Sequence, residues 1–338
     1  MSKRRMSWLA VVVLTAVLIA AAAYWSPHAP PHAVPPRVDK VSIALSMTPH
    51  SSIVHIAVEK GFFARHGLDV IVVPTTHGKE AIALLAADVV DFATAAEPPI
   101  VIATMNGVPL AIVASIFNVA SENAIVALRD RGIARTHDLA GKRIGVAFGT
   151  SGDYFLWAFL TRNRLSPRAV TLVDTDAAHI ADAIGRGDVD AVATWPPVLY
   201  GIQSALGERA VSIYGADAYT EGHFVVGNAA FVHAHPEVVV NMVRALFEAE
   251  RFMRSDPEAA LAIVSRRVGA EEEGLGPIWK KFDFSVGMSQ SSLSTLEDVA
   301  RWAMARQYVT ARPMPNFLSD LYLDALLAVR PERVTVIR

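Results

Sequence analysis

The chain has 338 residues, 52% of them hydrophobic and 19% charged, with no cysteine and a formal net charge of −2. That length suffices for two packed lobes, and the lack of cysteine excludes disulfides, thiolate metal sites, a cysteine nucleophile and a lipid-modified N-terminal cysteine. Residues 1–37 carry four basic residues (Lys3, Arg4, Arg5, Arg37) and no acidic one, so the remainder sits near −6, which argues against a polyanion-binding surface and a nucleic-acid partner.

In chain order, Lys3-Arg4-Arg5 precedes an apolar run from Met6 to Ala23 broken only by Ser7 and Thr15, and Ala21-Ala22-Ala23 offers a small-x-small cleavage site. Residues 1–23 read as a secretory signal peptide or, since the run is long and Tyr24-Trp25 suits a membrane interface, an uncleaved anchor. Residues 24–37, including "SPHAPPHAVPPR", form a Pro-rich linker. Either reading places the rest outside the cytoplasm, periplasmic or extracytoplasmic.

Strands are expected at Val41–Leu45, Val70–Val73 and Val90–Ala95, alternating with helices at Ser52–Lys60, Lys79–Ala86 and Pro98–Met105. The order recurs: strands Arg143–Phe148, Val170–Val173 and Asp190–Thr194 alternate with helices Asp153–Arg164, Ala178–Arg186 and Pro196–Ala205. Such alternation implies an α/β protein with parallel sheets covered by helices. After a return strand at Phe224–Asn228, helical spacing dominates: Pro236–Arg254, Pro257–Arg267, Gly274–Lys281, Leu293–Arg306 and Phe317–Val329.

The halves also match in residues. "KVSIALSMTPHSS" from Lys40 aligns with "KRIGVAFGTSGDY" from Lys142, setting Thr48 against Thr150; "DVVDFATAAEPPIV" from Asp88 aligns with "DVDAVATWPPVL" from Asp188. Two such units imply two lobes, residues 38–118 plus 222–338 and residues 119–221, hinged around Ile116–Asn123 and Tyr219–Phe224. Ligands of open α/β sheets bind beyond the C-terminal strand ends, so the loops at Met47–Ser52, Pro74–Lys79, Ala95–Pro98, Gly149–Asp153, Asp174–Ala178 and Thr194–Pro196 should converge.

"EKGFFARHGLDVIVV" (Glu59–Val73), "LAGKRIGVAFGTSG" (Leu139–Gly152) and "GDVDAVATWPPVL" (Gly187–Leu199) resemble the nitrate/sulfonate/taurine-type substrate-binding proteins of ABC importers, a family that includes binders of thiamine-pyrimidine precursors. The resemblance runs from about Lys40 to about Arg306 and implies a type II periplasmic-binding-protein fold with the ligand cleft between two lobes. It further implies a small-molecule ligand, an inner-membrane ABC permease as partner, a monomer, no cofactor and no catalysis. Carried onto matching positions, it implies ligand contacts from His50, Ser51, Thr76, His77, Thr150, Ser151 and Trp195. Glu97 stands where many relatives carry a small or neutral residue, which speaks against a simple anion.

The residues carry their own chemistry. Gly149-Thr150-Ser151-Gly152 places two hydroxyls and free N–H groups at a helix N-terminus, suited to an electron-rich ligand atom or to ordinary capping. Asp153 breaks both the P-loop and the Gly-x-Ser-x-Gly patterns, although a hydrolase or transferase using Ser151 remains an alternative if a His–carboxylate pair lies within reach. Trp195, before two prolines, could stack on a flat ligand, which keeps a heteroaromatic solute open; Tyr154 could add a phenol or belong to the core. Glu97 could receive a ligand nitrogen or merely favour its helix N-terminus. His50, His77 and Glu97 could together supply a metal site, though no metal is expected; His55 and Glu59 read as a surface pair, and His223 approaches from the hinge side.

Overall fold

The computed structural model describes residues 38–120, 122–215, 217–310 and 313–337; the expected signal or anchor and the Pro-rich linker lie outside the described residues. Two five-stranded sheets organise the chain. The first comprises β1 (Asp39–Ser46), β2 (Leu68–Thr75), β3 (Phe92–Ala96), β4 (Leu110–Val119) and β10 (Glu221–Asn228), in the order β2-β1-β3-β10-β4. The second comprises β5 (Ala124–Leu128), β6 (Arg143–Val146), β7 (Thr171–Asp174), β8 (Ala191–Thr194) and β9 (Ala210–Tyr214), in the order β7-β6-β8-β5-β9.

The duplication is visible in the pairing. β1 lies parallel between β2 (Asp39 opposite Leu68) and β3 (Ile43 opposite Phe92); β6 lies parallel between β7 (Arg143 opposite Thr171) and β8 (Ile144 opposite Ala191). The sheets are mixed, not wholly parallel as expected. β10 runs antiparallel between β3 and β4, and β5 antiparallel between β8 and β9. Each is the strand by which the chain arrives from the other sheet, β5 directly after β4 and β10 after β9. It therefore enters at the edge where the parallel strands end, and can only run back against them.

Helices cover the sheets. α1 (Ser52–Glu59), α2 (Phe62–Arg65), α3 (Gly78–Ala86) and α4 (Glu97–Met105) belong to the first repeat; α5 (Ser151–Arg162), α6 (Ile180–Arg186) and α7 (Val198–Leu206) belong to the second. α8 (Ala229–Ala234), α9 (Pro236–Ser255), α10 (Pro257–Val268), α11 (Glu272–Trp279), α12 (Gln290–Ala305) and α13 (Asp324–Val329) complete the described helices. α9 opens on Pro236, whose missing N–H costs nothing in a first turn. It buries Val239, Met242, Val243, Leu246, Ala249 and Met253 at three- and four-residue spacing, and it packs on α1 and α2. Asp256 caps α10 by accepting from the Ala259 N–H at 3.2 Å. α12 packs on α4 and buries Trp302 completely.

The helix expected over Phe317–Val329 is interrupted. A 3-10 turn at Phe317–Asp320 precedes α13, because the Tyr322 N–H donates to the Ile112 carbonyl of β4 at 2.9 Å. His55 and Glu59 are not a surface pair. His55 is buried, bonded to the Ser46 carbonyl and to Arg267, while Glu59 pairs with Arg266 and Arg267 of α10.

Candidate functional site

The strand ends meet in one cleft. Ser46 at the end of β1 with Thr48 and His50 beyond it, His77 to Lys79 after β2, and Ala96 at the end of β3 with Pro99 beyond it form one wall; Thr150 and Ser151 after β6 and Trp195 after β8 form the other. Thr48 and Thr150, set against each other by the internal alignment, thus line the same cavity. Its volume is about 30 Å³, which suits water or a bare ion, and at His77, Lys79 and Thr150 it adjoins an outer groove of about 550 Å³.

Local structure fixes each wall. The β1 turn is held by Thr94, whose hydroxyl accepts from the Ser46 N–H and the Ser51 hydroxyl, both at 2.9 Å. His77 caps α3, its Nδ1 accepting from the Glu80 N–H at 3.3 Å. Gly78 allows that helix to close on β3, since a Cβ there would lie 2.7 Å from the Ala95 Cα. Gly149 has φ +73°, a turn that L side chains disfavour, and its N–H donates to Asp153 at 3.1 Å. The Thr150 hydroxyl donates to the Ala147 carbonyl at 2.6 Å. Trp195 packs on Ala147 and Ala177, apart from the main core, and a Cβ on Gly152 would come within 3.2 Å of its ring.

Links span the cleft. Lys79 Nζ donates to the Phe148 carbonyl at 2.8 Å, and Tyr308, after α12, donates to the buried Asp153 carboxylate of α5. Arg306 lies 3.6 Å from the same carboxylate.

Several expected residues stand elsewhere. Thr76 faces the outer groove, with its N–H and hydroxyl both donating to Glu80. Ser51 lies beneath the cavity wall, against Thr94 and, at 3.2 Å, His223 Nε2. Tyr154 belongs to the core, its ring 4.8 Å from Tyr219 and 5.4 Å from Trp302. Glu97 is turned away from the cavity: Tyr219 donates to one carboxylate oxygen and the Gly222 N–H donates to the other at 2.8 Å. Burial, opposed by the Tyr219 hydrogen bond, pushes its pKa up to about 8. A fixed negative charge on the cleft wall is therefore not what Glu97 supplies.

Two carboxylates that the sequence reading did not single out lie at the cavity instead. Glu221 lines the cavity, and Glu122 lies behind it against His50. Glu122 precedes β5 and Glu221 opens β10, so both sit where the antiparallel strands begin, at the same edge as the ends of the parallel ones. Parallel strand ends alone do not reveal the residues that open the antiparallel strands at this edge. Burial would lower the His50 pKa, but the Glu122 charge and hydrogen bond outweigh it and hold the ring above its ordinary value. Burial, reinforced by the Glu122 charge and resisted by His50, raises Glu221. His223, also on the wall, is driven well below its ordinary value by burial and by His50. His77 and Glu97 are thus not the partners of His50. Ser151 lines the cavity together with Glu221, whereas the serine paired with a histidine is Ser51. His223 Nδ1 has no partner among the described residues, so that pair lacks an orienting carboxylate there.

Comparison with known proteins adds the family. The family described as NMT1/THI5 like matches residues 48–260. The taurine-binding periplasmic protein of Escherichia coli (strain K12) is 26% identical over 188 residues, covering 54% of this chain and 57% of that protein. The formylaminopyrimidine-binding protein of Halalkalibacterium halodurans is 23% identical over 289 residues, covering 80% of this chain and 87% of its own length. The solved alkanesulfonate-binding protein SsuA of Xanthomonas axonopodis pv. citri, bound to MOPS, superposes with a TM-score of 0.73 at 18% identity, covering 85% of this chain and 99% of that one. This likeness establishes the type II periplasmic-binding-protein fold. All three are named as binding proteins.

Proposed function

The chain belongs to the NMT1/THI5-like family, and we propose that it is the extracytoplasmic solute-binding component of an ABC importer, not an enzyme. One observation carries this reading: duplicated strand ends of two separate sheets, marked by Thr48 and Thr150, line a single cavity. Lobe closure over a solute is the mechanism such a cavity supports. Residues 38–118 with 222–338 act as one lobe and residues 119–221 as the other, hinged at the two chain crossings. A solute that touches both walls stabilises the closed state, and an inner-membrane permease reads that state. The protein works as a monomer.

The cleft favours a small molecule with two unlike ends. The α5 N-terminus and Lys79 suit an acceptor end such as a sulfonate, while Glu221 suits a donor-bearing nitrogen. An aminosulfonate of the taurine type satisfies both walls. The flat indole of Trp195 favours a second reading, an amino-pyrimidine stacked on the ring.

A thermal-shift screen of the purified chain against taurine, alkanesulfonates, nitrate and amino-pyrimidines tests this. A solute at a hundredfold excess over its Kd adds about 2.7 kcal/mol of stability. Nitrate as the best ligand would overturn the two-ended solute, and no stabilisation by any solute would overturn the reading itself.

A further inference from the structure

His50, Glu122 and Glu221 converge from three separate stretches of chain: the turn after β1, the first crossing between sheets and the start of β10. All three are nearly fully buried, and one ligating atom from each lies within 4.8 Å of the others. His50 Nε2 bonds Glu122 directly and stands 4.0 Å from Glu221 Oε1. Two carboxylates against one imidazole in a dry site is a costly arrangement unless further positive charge reaches it.

The site is also built and incompletely satisfied. Asn123 Nδ2 holds the other Glu221 oxygen at 2.9 Å, which orients that carboxylate as an outer partner orients a metal ligand. The His50 ring is set edge-on against Phe117 with centroids 4.9 Å apart. Glu122 Oε2 is buried and has no hydrogen-bond partner among the described residues, a costly state for a carboxylate oxygen.

We propose that His50, Glu122 and Glu221 form a binding site for a divalent transition-metal cation of the zinc type. One imidazole nitrogen and two carboxylate oxygens are a donor set such ions accept, and three protein ligands leave a coordination position open. The ion takes the place of the hydrogen between His50 and Glu122, and its two positive charges offset the two carboxylates. Bringing the donors to metal–ligand distances of about 2.0–2.2 Å requires modest side-chain shifts. The adjoining cavity of about 30 Å³ has room for a water on the open position. The ion and a solute amino group would draw on the same Glu221 carboxylate, so they compete. The site itself does not depend on which solute is carried, and its test uses metal alone.

The full-length chain, stripped with EDTA and dialysed, is titrated with zinc chloride by calorimetry and with cobalt chloride by visible absorption. Saturable binding of one ion per chain is expected, with the intense visible bands of a low-coordinate cobalt site. Glu122→Gln and Glu221→Gln should each weaken zinc binding roughly tenfold or more. Absence of saturable binding, or one-to-one binding unchanged in both variants, overturns the site. Should either variant fail to fold, anomalous diffraction at the zinc edge from zinc-soaked native crystals decides. A peak between His50 and Glu221 supports the site; a peak elsewhere or none refutes it.

Discussion

Lys79 Nζ donates to the Phe148 carbonyl oxygen at 2.8 Å, tying the first turn of α3 to the loop after β6. The bond joins the two sheets across the mouth of the cleft, and it exists only while they are together.

Lys79→Met removes that bond and leaves the fold unchanged. An exposed, charge-assisted hydrogen bond contributes about 0.5–1.5 kcal/mol, so solute affinity should fall about two- to tenfold by calorimetry, with the urea midpoint unmoved. Unchanged affinity would show that closure does not use this contact.

Trp195→Ala should weaken solute binding by about 1–3 kcal/mol, the range for stacking of flat groups on aromatics. The loss should exceed the change in folding stability, because Trp195 clusters with Ala147 and Ala177 apart from the main core. A variant that no longer folds would assign the indole to the scaffold.

Glu221→Gln should weaken a nitrogen-bearing solute more than a plain alkanesulfonate, whereas Glu97→Gln should change neither, since both Glu97 oxygens are engaged inside the protein. Glu97 instead bears on stability. Its folded pKa of about 8 lies above the ordinary 4.5, so its contribution is whole below pH 4.5 and is lost as pH rises through 8. Relative to Glu97→Gln, the native chain should lose stability between pH 5 and 9, by up to a few kcal/mol on the order of 1.4 per pH unit. Urea titrations with parallel pH dependence in the two proteins would refute this.

His55 acts in the opposite sense. Burial, with the Arg267 charge beside it, lowers its pKa to about 3, so the unfolded chain binds a proton at pH values where the fold does not. Stability is whole above 6.5 and falls as pH drops toward 3, at about 1.4 kcal/mol per unit. His55→Gln should flatten that acid limb in urea titrations between pH 4 and 6.5; an equally steep limb in the variant would exclude His55 as its source.

The alternating strands and helices around Thr48 and Thr150 were legible because each element is short, periodic and punctuated by glycine or proline. β4 was not, since "LAIVASIFNV" is buried along nearly its whole length and shows no alternation to read. Glu97 could be placed at a helix N-terminus from sequence, but its orientation depends on the Gly222 N–H of β10, 125 positions away. Glu122 and Glu221 escaped notice for a related reason. Their place at the cleft follows from the antiparallel entry of β5 and β10, and that entry is a long-range pairing with no local signature.

The five strands of the second sheet all fall in one unbroken stretch, from Ala124 to Tyr214, between β4 and β10. Thr150, Ser151 and Trp195 travel within it, whereas His50, His77 and Glu221 remain with the frame. One cassette exchange with a relative, at two junctions, would therefore replace an entire wall of the cleft while leaving the α9–α12 scaffold intact. Solute preference in this architecture can be recombined by halves, as a lock is rekeyed by changing its cylinder.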